Sequence, residues 1–445
     1  MSTATRARNG RTTGRAPETS RRQRSNAPDA RTAQGVPATT TLRPLARTSR
    51  IGPVQLRQLV LVESALALVA VGLALGDFWL VPACVVAGVL MLLAVIRRRG
   101  HALQDWLSTV LRLRTRKRIT APAAPDTDPT LAPVAECAPG LKPYTFVDRK
   151  RRRTVGMLGD GSFLTAVVRV EAGSEALRPA FGARALPLSL LADALEVDDI
   201  ALESAQLVQQ VRSAPAPHLP QQSVARLSYT PLQERTGAPA LRMTWVALKL
   251  NPELCSEAVQ ARGGGVEGAQ RCLVRAADHV ASRVSGAGFR AVVLDQEELN
   301  SAVATSACAS PMRAARAARP DAPPQRRTQE TARVWRCDDR WHTTYAVGRW
   351  PELGRAATPL PQLVSLLTSI PAYATTFSLT VRRGSHHESI NVGGHVRITG
   401  GSDNDLVGVR RALESAARSA KVSLVRLDRE QQPGVLATLP LGGAR

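Results

Sequence analysis

From Gln55 onward the chain is apolar in two runs, about Leu59–Leu75 and Phe78–Ile96, parted only by Gly76 and Asp77. Each run is close to the ~20 residues that a helix needs to cross hydrocarbon. Basic residues stand at both outer flanks, Arg57 before and Arg97, Arg98 and Arg99 after, while the turn carries only an acid. Under the positive-inside rule, that asymmetry places the tail and everything after residue 97 in the cytoplasm. Phe78 and Trp79 fall where interfacial aromatic anchors belong. The pattern predicts a transmembrane helical hairpin in the plasma membrane with both termini cytoplasmic; a helical hairpin buried in a core is the plainer alternative.

Beyond residue 142 the period changes to that of a mixed α/β chain. "TVGMLGDGSFLTAVVRVEA" reads as two strands around a Gly-Asp-Gly turn, and "LPLSLLADALEV" as a short helix. "ALESAQLVQQVRSAP" and "LRMTWVALKL" read as strands. "VEGAQRCLVRAADHVASRVSGAG" spaces its apolar residues as a helix does, and "FRAVVL" follows as a strand. The second half repeats that order: "HTTYAVGRW", "PLPQLVSLLTSI", "YATTFSLTVRR" with "SINVGGHVRIT", "NDLVGVRRALESAARSAK", then "VSLVRL". The predicted fold is therefore the membrane hairpin followed by an α+β cytoplasmic body of two tandem ferredoxin-like (βαββαβ) units. The boundaries are a disordered basic tail (1–54), the spans (55–97), a juxtamembrane amphipathic helix and linker (98–142), a first unit (143–309), a disordered linker (310–330) and a second unit (331–445).

Composition changes this picture in one respect. The net charge of +23 is concentrated in residues 1–50, 97–118 and 149–153, which carry +9, +7 and +5. The body is left nearly neutral, which argues against a uniformly basic nucleic-acid binder. The tail also lacks the interleaved aromatics that stack on bases, so its expected partner is the anionic inner leaflet of the bilayer and no nucleic acid is expected. Six cysteines without a CxxC pair or regular spacing predict free thiols rather than a disulfide framework or a zinc site.

Three stretches are candidates for chemistry. "ARGGG" places Arg262 before Gly263, Gly264 and Gly265 at the start of a helix, where backbone amides can hold an anion. It lacks the Lys and Ser/Thr of a P-loop, so the alternative is a conformational loop whose glycines allow a tight turn. Asp403 and Asp405 form a DxD, which reads as a metal clamp or, at a helix start, as capping. His386, His387, Glu388 and His395 contain zinc-ligand types, but adjacent strand residues face opposite ways, and surface histidines are the simpler reading. No catalytic residue, metal site or cofactor is assigned. The enzymatic alternative is a membrane-anchored transferase acting on a nucleotide sugar or other phosphorylated donor, through Arg262–Gly265 and Asp403/Asp405. A membrane-surface or nucleic-acid tether working through the basic tail is a third reading.

Taken together, "RRRGHALQDWL", "TWVALKLNPE" leading into "ARGGG", and "WHTTYAVGRWPEL" resemble the EccE family, a membrane component of the type VII (ESX) secretion system of actinobacteria. The resemblance runs from about residue 55 to about 430. It implies a non-catalytic subunit at the periphery of a complex with EccB, EccC and EccD homologues, bracing its cytoplasmic side. It marks Arg262–Gly265 without assigning them a ligand.

Overall fold

The computed structural model describes residues 42–44, 50–51, 54–95, 97–98, 101–172, 185–213, 222–224, 227–228, 230–231, 241–351, 359–384 and 389–443. Most of the basic tail, Arg99, and His386, His387 and Glu388 lie outside these residues, as do the side chains of Arg57, Arg97 and Arg98.

The apolar runs form helices α1 (Leu56–Leu75) and α2 (Asp77–Val95), joined at Gly76 with φ of 98°. Ala65, Gly72 and Ala87 are buried, while Leu66, Leu73, Val81 and Val85 are exposed. Among the described residues no helix is long and apolar enough to cross a membrane. This overturns the expected transmembrane hairpin and the two-span plasma-membrane placement inferred from it. Arg57 and Glu63 fall inside α1, and α2 holds Pro82 within its 19 residues. The apolar stretches left uninterrupted are shorter than the ~20 residues a span requires. Phe78 and Trp79, expected as interfacial anchors, are exposed at the start of α2 with their rings edge to face at 5.9 Å. Helix α3 (Leu103–Ile119) follows and ends on Arg116, Lys117 and Arg118, where cations complement the helix dipole. Arg116 holds it to the body, with two 3.1 Å bonds to the Glu330 carboxylate.

The body's strands are, in chain order, β1 (Lys142–Asp148), β2 (Arg153–Gly159), β3 (Leu164–Ala172), β4 (Ser204–Arg212), β5 (Leu241–Leu250) and β6 (Phe289–Val293) in the first half. The second half has β7 (Thr328–Glu330), β8 (Trp335–Cys337), β9 (Arg340–Arg349), β10 (Ala374–Arg383), β11 (Ile390–Gly400) and β12 (Ser423–Arg426). With the short segment Leu42–Pro44 they form one thirteen-stranded sheet, whose central path is β7-β8-β9-β11-β10-β4-β5-β3-β2-β1. Strand β6 lies beside β3 and β12 beside β9; every pairing is antiparallel except Leu42–Pro44 with β11. The expectation of two tandem ferredoxin-like units is thereby overturned. Strand β10 pairs with β4 from Ala205↔Val381 to Val211↔Thr375, so the halves share one sheet. An open edge strand leaves a row of amides and carbonyls unpaired, and joining two edges satisfies both rows.

Both faces of the sheet are covered. Helices α5 (Leu188–Asp193), α6 (Ser256–Ala261), α7 (Gly265–Gly286), α10 (Leu360–Thr368) and α11 (Asp403–Ser419) pack on the first face, against Val168, Val246, Leu248, Phe377 and Ile398. Helices α4 (Ala132–Cys137), α8 (Gln296–Ser306) and α12 (Gln431–Leu436) pack on the second, against Val167, Val208, Trp245 and Ala247. Consecutive residues divide between the two cores, as a strand's two-residue period requires. Residues 310–330 contain the short helix α9 (Pro311–Ala317), capped by Ser310, and end in β7.

The second face is unusual in being polar over the second-half strands. His342, Thr344, Thr376, Ser378, Arg397 and Thr399 are all buried there. Residues 437–443 are strapped across it. Gln206 Nε2 and Ser378 Oγ both donate to the Ala437 carbonyl at 2.9 Å, and the Gly442 amide donates to Gln206 Oε1 at 2.8 Å.

Candidate functional site

Strand β5 ends at Leu250, and Asn251 caps a single turn by accepting the Glu253 amide at 3.0 Å. The chain then runs through α6 and reverses at residues 262–265 into α7. The reversal needs backbone that only glycine adopts cheaply: Gly263, Gly264 and Gly265 have φ of 104°, 71° and 57°. Three donors of the loop, the amides of Arg262, Gly263 and Gly264, are turned inward. The Arg262 and Gly264 amides bond to the Val259 carbonyl at 3.2 and 2.9 Å, and the Gly263 amide to Gln260 at 3.1 Å. A phosphate cradle needs those N–H groups to point at the ligand.

Arg262 is committed as well. Its guanidinium grips Asp199 with two bonds of 2.8 and 2.7 Å and donates a third to the Ala258 carbonyl at 3.0 Å. The pairing holds the Asp199 carboxyl below its ordinary value and pushes the guanidinium further up. Two further pairs, Arg275–Asp198 and Arg283–Asp193, tie α7 to the end of α5 and the segment after it. Exposed pairs of this kind add about 0–1 kcal/mol each, so their main effect is positional. The Cys255 and Cys272 thiols are buried close by, and burial pushes both up, which makes them poor nucleophiles.

Beside the loop opens a cleft of about 400 Å³, lined by Tyr144, Phe163, Val259, Gln260, Gly265 and Val266 among others. Its walls are largely apolar, with Val266 and nearby Leu254 exposed. Lys249 stands over the Phe163 ring at 4.2 Å, and its ammonium is engaged by Glu203 at 2.9 Å. The cleft suits an apolar side chain better than a phosphorylated donor.

The other candidates do not converge on it. Asp403 and Asp405 begin α11, where Ser402 accepts the Asp405 amide at 3.1 Å and Arg410 takes the Asp403 carboxylate at 2.7 Å. His395 lies within β11, opposite Ser378. Among the described residues, no group of three or more His, Cys, Asp or Glu side chains is placed to hold a metal ion.

A buried ionic cluster escaped the sequence altogether. Arg327 is pinned between Asp338, at 2.9 and 2.7 Å, and the Pro129 carbonyl at 2.6 Å. Its backbone amide and that of Thr328 both donate to Glu136 at 2.8 Å. Burial opposes the Arg327 charge, yet Asp338 more than restores it, and its pKa ends above the ordinary value. Glu136 and Pro129 lie 191 and 198 positions from Arg327, so no local spacing could have brought the cluster together.

The geometry defines a three-layer α/β/α scaffold whose glycine loop and arginine hold its own elements in place. Residues 238–347, from the start of β5 into β9, match the family model described as "Putative type VII ESX secretion system translocon, EccE". The match agrees with the resemblance read from the sequence, and it supports a component of the type VII secretion system. No curated protein matches the chain.

Proposed function

We propose that this chain is a structural, non-catalytic subunit that braces a type VII (ESX) secretion complex by docking to its other components, homologues of EccB, EccC and EccD. The family match over residues 238–347 carries this reading. That segment contains the glycine loop and α7, and it crosses from the first half of the sheet into the second. The inward-turned loop amides and the paired Arg262 support a conformational role for Arg262–Gly265: they form a rigid corner that presents Val266 and Leu254 at the edge of the apolar cleft. The test is affinity purification of the tagged chain from cells expressing the whole system. EccB, EccC and EccD homologues should co-purify, and Val266→Asp should reduce their recovery. A chain that purifies without them, with export intact after its deletion, overturns the proposal. Titration with nucleotide sugars and manganese should give no heat.

A further inference from the structure

The polar patch on the second face is built by strand register. Thr344, Arg397, Thr376 and Gln210 stand directly opposite one another across β9, β11, β10 and β4, and His342 lies opposite Thr399 in the next row. Opposed residues point to the same face with Cβ atoms about 5 Å apart, so these side chains share one small region under α8.

Arg397 is fully buried. One nitrogen, Nη2, donates to the Ser306 carbonyl at the end of α8 and to Thr376 Oγ1 at 3.2 Å. Its Nε and Nη1 have no partner among the described residues. The neighbouring groups repeat this pattern. Gln210 uses its Nε2 on Ser306 and Cys308 and leaves Oε1 unpaired. His342 uses Nδ1 on Thr399 at 3.0 Å and leaves Nε2 unpaired, and the Thr344 hydroxyl is also unpaired. Buried polar groups normally find partners, and five such atoms in one region mark a place built around something else.

The charge balance says what that is. Among the described residues no carboxylate bonds to Arg397, and burial pushes its pKa down to about 10. The buried acids nearest in sequence are taken, Asp338 by Arg327 and Glu330 by Arg116. The carbonyl end of α8 offers only a fraction of a negative charge. His342 is kept neutral by its burial, then by Arg397 and Arg340, so it adds no competing cation. A buried guanidinium without a counter-charge is costly enough to select an anion.

We propose that this patch is a buried site for one small monovalent inorganic anion, of the size and charge of chloride. It would be held by Nε and Nη1 of Arg397, the Nε2–H of His342 and the Thr344 hydroxyl. Gln210 Oε1 is an acceptor and faces a water shared with the ion. The ligands come from β9 and β11, so the ion fastens these two neighbouring strands.

The test compares the thermal midpoint of the purified full chain in sodium chloride, bromide and gluconate at equal ionic strength. Chloride and bromide should raise it saturably over gluconate, as a ligand specific to the folded state does. Arg397→Met should abolish the difference, and Thr344→Val should shift its half-saturation to higher halide. Equal midpoints for the wild type in halide and gluconate, or a halide effect retained in Arg397→Met, overturn the proposal. Should that variant not fold, crystals of the wild-type chain in bromide decide. An anomalous peak beside Arg397 is expected, and its absence means that water alone fills the site.

Discussion

Gly268→Ala tests the packing that fixes the glycine loop. Gly268 lies in the first turns of α7, and its amide bonds to Gly264 at 2.8 Å. A Cβ at this position would fall well inside 3.0 Å of the Val259 carbonyl oxygen, which is backbone and cannot swing away. Helices α6 and α7 would have to separate, loosening the Gly264–Val259 bond that closes the loop. Overpacking of this kind costs about 1–3 kcal/mol, while replacing helical glycine by alanine returns about 1 kcal/mol. The net expectation is a loss of up to about 2 kcal/mol in urea denaturation, with the slope unchanged. The control is Gly408→Ala in α11, an exposed helical position where a Cβ meets nothing within 4 Å. It should gain up to about 1 kcal/mol from propensity alone. If both substitutions stabilise the chain alike, the close approach of α6 to α7 is wrong, and so is the rigid corner built on it.

Arg327→Met strands the Asp338 carboxylate, 3% exposed, without its partner; the expected cost is about 3–5 kcal/mol by chemical denaturation, and a loss under about 1 kcal/mol counts against the cluster. Asp199 has a folded-state pKa below its ordinary 3.8, because Arg262 favours the carboxylate. Its contribution is therefore present above that value and lost as pH falls through the lower, folded one. Asp199→Asn should reduce the denaturation midpoint near neutrality and converge with the wild type in acid; a gap that persists there refutes the pairing. Burial pushes the Cys137 thiol up to about 12, Cys255, Cys272, Cys308 and Cys337 are buried, and Cys84 is exposed. A thiol reagent at mildly alkaline pH should therefore label one site quickly, and Cys84→Ser should remove that reaction.

Single elements were legible in the sequence, and their joining was not. "LRMTWVALKL" reads as a strand and is β5, and the helix spacing of Cys272, Leu273, Ala276, Ala277 and Val280 matches the buried stripe of α7. Local period carries that much. The pairing of β4 with β10 depends on which two edges meet, and nothing near Ala205 or Val381 encodes it. The polar face of the second-half strands was hidden for another reason. A sheet covered on both sides buries every position, so alternation no longer separates inside from outside. Arg397 in "SINVGGHVRIT" then looks like an ordinary outward residue. At the loop, the glycines announced a tight turn, but Asp199, 63 residues upstream, decides what Arg262 does.

Residues 437–443 reach back across the sheet to partners made far earlier, with Thr165 donating to the Leu441 carbonyl across 276 positions and Ser204 to that of Gly442 across 238. This imposes an order on synthesis. As the polypeptide leaves the ribosome, strands from both halves are already present while the strap across their second face is still being translated. Until then Gln206 and Ser378 lack the strap that bonds to them, on a surface open to chaperones and proteases. A chain cut short before the strap leaves Thr165, Ser204, Gln206 and Ser378 without these bonds.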